Sequence, residues 1–131
     1  MKKGTEAVAA ARALVGVRFR PQGRAPEIGL DCIGLIARAL GVEVSRADYD
    51  LRGGTLQELE AGLRVAGCVP VAERRAGDVL VMHSGPGQLH LGIWAGDGIV
   101  HADARLRRVV ERPGEVPWAV LGTWRLMTGG D

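Results

Sequence analysis

Aromatic side chains are scarce in this 131-residue chain: three Trp, one Tyr and one Phe. A surface that stacks bases needs interleaved rings in a basic field. The formal net charge is only +2, lysine occurs only as Lys2 and Lys3, and the arginines are scattered except between Arg105 and Arg112. No nucleic-acid partner is expected. Long apolar runs are missing as well. No stretch approaches the ~20 residues that cross a bilayer, so membrane insertion is not expected. Lys2 and Lys3 precede an alanine-rich stretch, but Glu6 and Arg12 interrupt it before Ala13-Leu14-Val15. That pattern does not read as a signal peptide. The expectation is synthesis in a cytoplasm, with any exit left to other machinery.

Cysteine is equally sparse. Cys32 and Cys68 could form one bridge at most, and without a secretion signal free thiols are expected. Cys68 follows an apparent helix end at Gly67 and reads as a buried, inert thiol. A zinc site from Cys32, His83, His90 and His101 lacks any close Cys-x-x-Cys or His-x-x-x-His pair to anchor it. His83, followed by Ser84-Gly85-Pro86, reads as a strand-end or loop residue. No metal and no cofactor are expected.

What is present suits one globular domain over residues 1–131, with 47% hydrophobic and 24% charged residues. Thr5 to Val15 predicts a first helix ending at Gly16. Val17 to Gly29, rich in Arg, Pro and Gly, reads as a loop. Asp31 caps a second helix that runs through Leu40 and stops at Gly41. Residues 42–54 look irregular. Thr55-Leu56-Gln57-Glu58 has the capping-box pattern and opens a third helix to Ala66. Beyond Pro70 the apolar period changes from about 3.6 to 2. Strands are expected at Asp78–His83, Leu89–Trp94, Ile99–Asp103, Arg108–Arg112 and Val120–Leu126, with Thr128–Asp131 as a tail. Helices followed by an antiparallel meander define an α+β domain.

Cys32 is the most informative residue. It directly follows the capping Asp31, where backbone N–H groups are unpaired and the helix dipole is positive. That position is expected to favour the nucleophilic thiolate. His90 and His101 lie in strands joined through Gly96-Asp97-Gly98. A two-residue loop at Gly96-Asp97, or a four-residue loop over Ala95–Gly98, would make them diagonal neighbours on one face. A three-residue loop would put them on opposite faces. A turn centred on Asp97-Gly98 would keep the face but separate them further. Cys32 as nucleophile, His90 as base and His101 as the group that orients His90 make up the parts of an acyl-transfer site. Asp103 is a second candidate for the orienting role. The Cys32 backbone N–H is a candidate oxyanion donor.

These residues resemble the NlpC-type family of papain-like cell-wall peptidases. The resemblance runs from about Ala11 to Trp124. It rests on Gly16-Val17-Arg18-Phe19-Arg20-Pro21-Gln22-Gly23-Arg24, Leu30-Asp31-Cys32-Ile33-Gly34-Leu35, Gly77-Asp78-Val79-Leu80, His90-Leu91-Gly92-Ile93-Trp94-Ala95-Gly96-Asp97-Gly98 and Val100-His101-Ala102. It implies a papain-like fold with N-terminal helices packed on an antiparallel sheet of five to six strands. It implies a thiol protease with Cys32, His90 and His101 as catalytic residues. The substrate it implies is the peptide stem of peptidoglycan, cut at a γ-D-glutamyl-diaminopimelate type of bond. Phe19-Arg20-Pro21-Gln22-Gly23-Arg24 is most similar to members from phage tails and gene-transfer particles. That implies phage-like tail proteins as partners and a place in a virion acting on the cell wall. Phe19 stands where many members carry a tyrosine, and Ile33 where many carry a serine. Gln22 offers an amide donor in place of the missing tyrosine hydroxyl. Asp31 is assigned either a helix cap, a binder of a substrate amine, or both. Two other readings compete. One is a structural tail-tip or hub component with an unused site. The other is a thiol-dependent amidase or acyltransferase on another substrate.

Overall fold

A computed structural model describes residues 4–43 and 55–127. The irregular reading of residues 42–54 falls mostly outside them, as does the tail after Met127. The elements in chain order are α1 (Gly4–Ala13), β1 (Arg24–Ala25), β2 (Gly29–Leu30), α2 (Cys32–Leu40), α3 (Leu56–Val65) and β3 (Cys68–Pro70). There follow β4 (Val79–Gly85), β5 (Gln88–Trp94), β6 (Gly98–Asp103), β7 (Arg108–Pro113) and β8 (Ala119–Leu126). β1 and β2 form a small antiparallel pair. The other six strands form one antiparallel sheet in the order β3-β8-β4-β5-β6-β7. No helix among the described residues is long and apolar enough to cross a membrane.

Helix α2 is the centre of the molecule, because every residue in it except Arg38 is buried. Local chemistry sets both its ends. The Asp31 carboxylate accepts from the Gly34 N–H, and Gly41 closes the helix at φ 70°, a conformation glycine adopts without steric cost. A Cβ at Gly34 would run into the Gly23 carbonyl. Glycine is therefore what lets the loop before the helix lie directly against its first turn. α1 packs on α2 through the buried small residues Ala7 and Ala11. α3 begins where Thr55 Oγ1 accepts from the Glu58 N–H at 3.1 Å.

The sheet has two apolar faces. Val79, Val81, Leu89, Leu91, Ile93, Val100, Ala102 and Trp124 join the helices in the main core. Leu80, Met82 and Ile99 form a smaller cluster with Trp94, Val116, Trp118 and Val120. The main-core and small-cluster residues alternate along β4, as period-2 geometry requires. One irregularity interrupts β8. Val81 pairs with Gly122 but Met82 pairs with Val120, so Leu121 is an extra residue in the ladder.

The free edge of β7 is closed by the segment before β1. Gly16 donates to the Val109 carbonyl at 2.8 Å, Val109 donates to the Val17 carbonyl at 2.8 Å, and Phe19 donates to the Arg107 carbonyl at 2.9 Å. Pairing there removes an exposed edge. The stretch expected to be a plain loop thus contains a short hairpin and an edge-covering segment. β3 also lies outside the expected strands. Buried Asp78 accepts from Arg125 Nε at 2.8 Å and Nη2 at 2.9 Å, tying the start of β4 to β8.

Candidate active site

The site forms where two sheet neighbours part. β5 and β6 share only two paired positions, Ile93↔Val100 and Trp94↔Ile99. The Ala95 N–H donates to the Gly98 carbonyl at 2.7 Å, so the hairpin turns on Gly96-Asp97. That is the register that keeps His90 and His101 on one face. The Trp94 N–H donates to the Asp78 carbonyl, towards β4. Alternation along the strand then directs the Leu91 N–H towards β6, where the ladder has already stopped. There it acts on the Cys32 thiol, favouring its charged form. Cys32, at the start of α2, therefore meets β5 at the residue next to His90.

His90 pairs across β4 with Met82 and so lies on the small-cluster face. His90 Nε2 is 3.0 Å from His101 Nδ1, with the rings edge to face at a centroid distance of 5.1 Å. This leaves His90 Nδ1 as the ring nitrogen outside the contact. Asp103 does not hydrogen-bond to either imidazole. Its Oδ1 accepts from the Arg105 and Leu106 N–H groups of the β6–β7 turn. Its charge nevertheless raises the pKa of both histidines, against the larger effect of burial.

Protonation in the resting site differs from the expectation. Burial pushes the Cys32 thiol up to about 12, and the Asp31 carboxylate pushes it the same way. The Leu91 N–H, the charge of Arg24 and the cysteine's own N–H oppose this but do not win. Cys32 is 3% exposed. The helix start alone therefore does not make a standing thiolate, because desolvation of a buried anion outweighs the partial charge of the helix end. Burial also pushes His90 down to about 4, with His101 second. His101, 2% exposed, is lowered by burial and by Arg112. At neutral pH Cys32 is therefore a thiol and His90 a neutral imidazole.

Asp31 is fully engaged. Oδ1 accepts from the Gly34 N–H at 2.8 Å and from Arg24 Nη1 at 2.8 Å, and Oδ2 accepts from the Gln22 N–H at 2.9 Å. Gln22 makes that contact through its backbone, at φ 60°, and its side chain is exposed. Phe19 is half-buried against the main core and bridges Leu30. Ile33 is buried among Ile36, Leu40, Leu59, Leu63 and Cys68, around an apolar cavity of about 40 Å³ between α2 and α3. The structure thus brings together His90 and His101, sets Cys32 against Leu91, the residue after His90, and ties Asp31 to Gln22. Ile33 sits in the core instead of on the imidazole face.

Two contributors escaped the sequence. Arg24 spends Nη1 on Asp31 and on the Gly23 carbonyl, and its Nε and Nη2 are buried without partners. Trp118 packs against both imidazoles. The signal for it was a tryptophan after Pro117, outside any alternating run. Cys68 is a free buried thiol, pushed up to about 11 by burial and then by Asp78. His83 is exposed at the end of β4. No group of three or more metal-ligating side chains occurs among the described residues.

No family model matches the chain, and no curated protein matches it. Solved structures do. NlpC1 from Trichomonas vaginalis superposes with a TM-score of 0.63 at 19% identity, over 93% of this chain and 44% of its own. The NlpC/p60 domain of the peptidoglycan hydrolase SagA gives 0.57 at 25% identity, over 86% of this chain and 90% of that domain. The peptidoglycan hydrolase RipB from Mycobacterium tuberculosis gives 0.58 at 19% identity, over 94% of this chain and 64% of its own. This chain spans less than two thirds of NlpC1 and of RipB. The fold is the α+β, papain-like fold of NlpC/p60 proteins, as the resemblance implies.

Proposed function

We propose that this protein is a cysteine peptidase that hydrolyses peptide stems of peptidoglycan. The observation that carries the reading is the 3.0 Å contact between His90 Nε2 and His101 Nδ1, together with a cysteine at a helix start that meets Leu91, the residue after His90. The names of SagA and RipB, both peptidoglycan hydrolases, support the substrate class. His90 donates from Nε2 to His101 Nδ1 and takes the Cys32 thiol proton at Nδ1. The thiolate adds to the scissile carbonyl, and the oxyanion is met by backbone N–H groups at the start of α2. The tetrahedral adduct expels the amine, which receives the proton from His90, and a thioester to Cys32 remains. Water then gives a proton to His90 and adds to the thioester. Collapse releases the carboxylic acid and restores the thiol.

For the bond, we propose a γ-D-glutamyl-diaminopimelate type of linkage. For the setting, we propose a phage-like tail or gene-transfer particle acting on the cell wall. Support for the setting is the resemblance carried by Phe19-Arg20-Pro21-Gln22-Gly23-Arg24. One observation favours a second reading, a structural tail component with an unused site: Cys32 is 3% exposed and its thiol is pushed up to about 12. Digestion of diaminopimelate-type peptidoglycan, followed by product masses, separates the two. Fragments ending in a new glutamyl carboxyl and a new diaminopimelate amine are expected. Intact stems after prolonged digestion would support the structural reading, and loss of the whole stem from the glycan would indicate an amidase.

A further inference from the structure

Trp118 stands just before β8, in the connection from β7, and reaches both imidazoles. Its ring lies 5.1 Å from His90 and 5.0 Å from His101, at interplanar angles of 77° and 82°. Each ring of the trio therefore meets the other two edge to face, a favourable aromatic arrangement. The extra residue in β8 makes this possible. In an unbroken strand Trp118, Val120, Gly122 and Trp124 would share a face, and Trp124 lies in the main core. The bulge at Leu121 reverses that alternation. Val120 and Trp118 consequently join Met82 and Ile99 on the face that carries His90 and His101.

The imidazole contact can carry its proton in two ways. If His90 Nε2–H donates, His90 Nδ1 is a free base. If His101 Nδ1–H donates, neutral His90 carries its proton on Nδ1 and cannot accept one from Cys32 there. Water reaching the contact would allow both. We propose that Trp118 is a positioning residue for the Cys32 site: its indole covers the imidazole pair, excludes water from the His90–His101 bond, and holds His90 with Nδ1 free. Its effect on turnover rests on the peptidase reading; the ring packing does not. The charged groups that act on the pair are Asp103 on β6 and Arg112 on β7.

The test uses the full ¹⁵N-labelled chain as parent, Trp118→Ala and Trp118→Phe, with long-range ¹H–¹⁵N spectra of the imidazoles across a pH series. In the parent, His90 is expected as a single Nε2–H tautomer that titrates well below an ordinary imidazole. In Trp118→Ala both tautomers should appear, and the titration midpoint should rise by about one pH unit or more as water enters. Phenylalanine should restore most of the parent behaviour. Turnover of peptidoglycan by Trp118→Ala should fall roughly tenfold or more in kcat with KM little changed. A folded Trp118→Ala with the parent tautomer and midpoint overturns the proposal. If alanine prevents folding, Trp118→Leu takes its place: mixed tautomers and a raised midpoint support the proposal, and parent values overturn it. A parent that leaves peptidoglycan intact refutes the peptidase reading, while the spectra still decide the role of Trp118.

Discussion

His90 and His101 are eleven residues apart in sequence, yet their ring nitrogens Nε2 and Nδ1 meet at 3.0 Å across a place where their strands no longer pair. The proposed mechanism uses His101 Nδ1 as the acceptor in this contact. His101→Ala should lower kcat by roughly 100-fold or more, the scale of a misdirected general base. His101→Asn, which keeps an acceptor oxygen, should lose less. Steady-state kinetics on defined muropeptides, with circular dichroism to check folding, measure both.

The same burial predicts a pH dependence of stability. His90 falls from an ordinary 6.5 to about 4 in the folded state, and His101 shifts in the same direction. Between those values the unfolded chain binds more protons than the folded one. Stability from these groups is therefore complete above about pH 6.5 and is lost as the pH falls towards 4. Urea midpoints should decline across that window, and less so in His90→Gln. The acid limb of the activity profile should likewise lie below that of an ordinary imidazole.

Asp31 joins three things: the cap of α2, the Gln22 backbone and the Arg24 guanidinium. Asp31→Ala removes all three and leaves Arg24 uncompensated, so a loss of about 2–3 kcal/mol is expected in urea unfolding. Asp31→Asn keeps an acceptor for Gly34 and should cost less. Because the Asp31 charge raises the Cys32 pKa, the asparagine variant should move the alkylation profile of Cys32 to lower pH.

Local signals in the sequence are enough for α2 and α3, whose caps lie within three residues of the groups they satisfy. Five strands are legible because alternation is also local, and their observed ends lie within two residues of those expected. The Gly96-Asp97 turn is one of several alternatives that the sequence leaves open. Only the pairing of Trp94 with Ile99 selects it. What stays hidden depends on distant partners. The two-residue strands β1 and β2 are too short to show a period. The bulge at Leu121 exists only relative to β4. Protonation of Cys32 departs from the expectation because the helix end is visible in the sequence and the burial is not.

Gly34 supplies a packing test. A methyl group there meets the Gly23 carbonyl, which is backbone and cannot rotate away. Gly34→Ala should destabilise the protein by about 2–3 kcal/mol, as overpacking does. It should also lower kcat, because the loop and the first turn of α2 must move apart beside Cys32. Thermal unfolding and muropeptide kinetics on the same sample check both effects.

The role of Cys32 as the nucleophile of a peptidoglycan peptidase is tested most directly by parallel digestion of purified peptidoglycan with the parent and with Cys32→Ala. Released peptides are counted by mass spectrometry, and folding is verified by circular dichroism. The parent should release stem-peptide fragments and the folded Cys32→Ala should release none. Equal release by both would contradict that role.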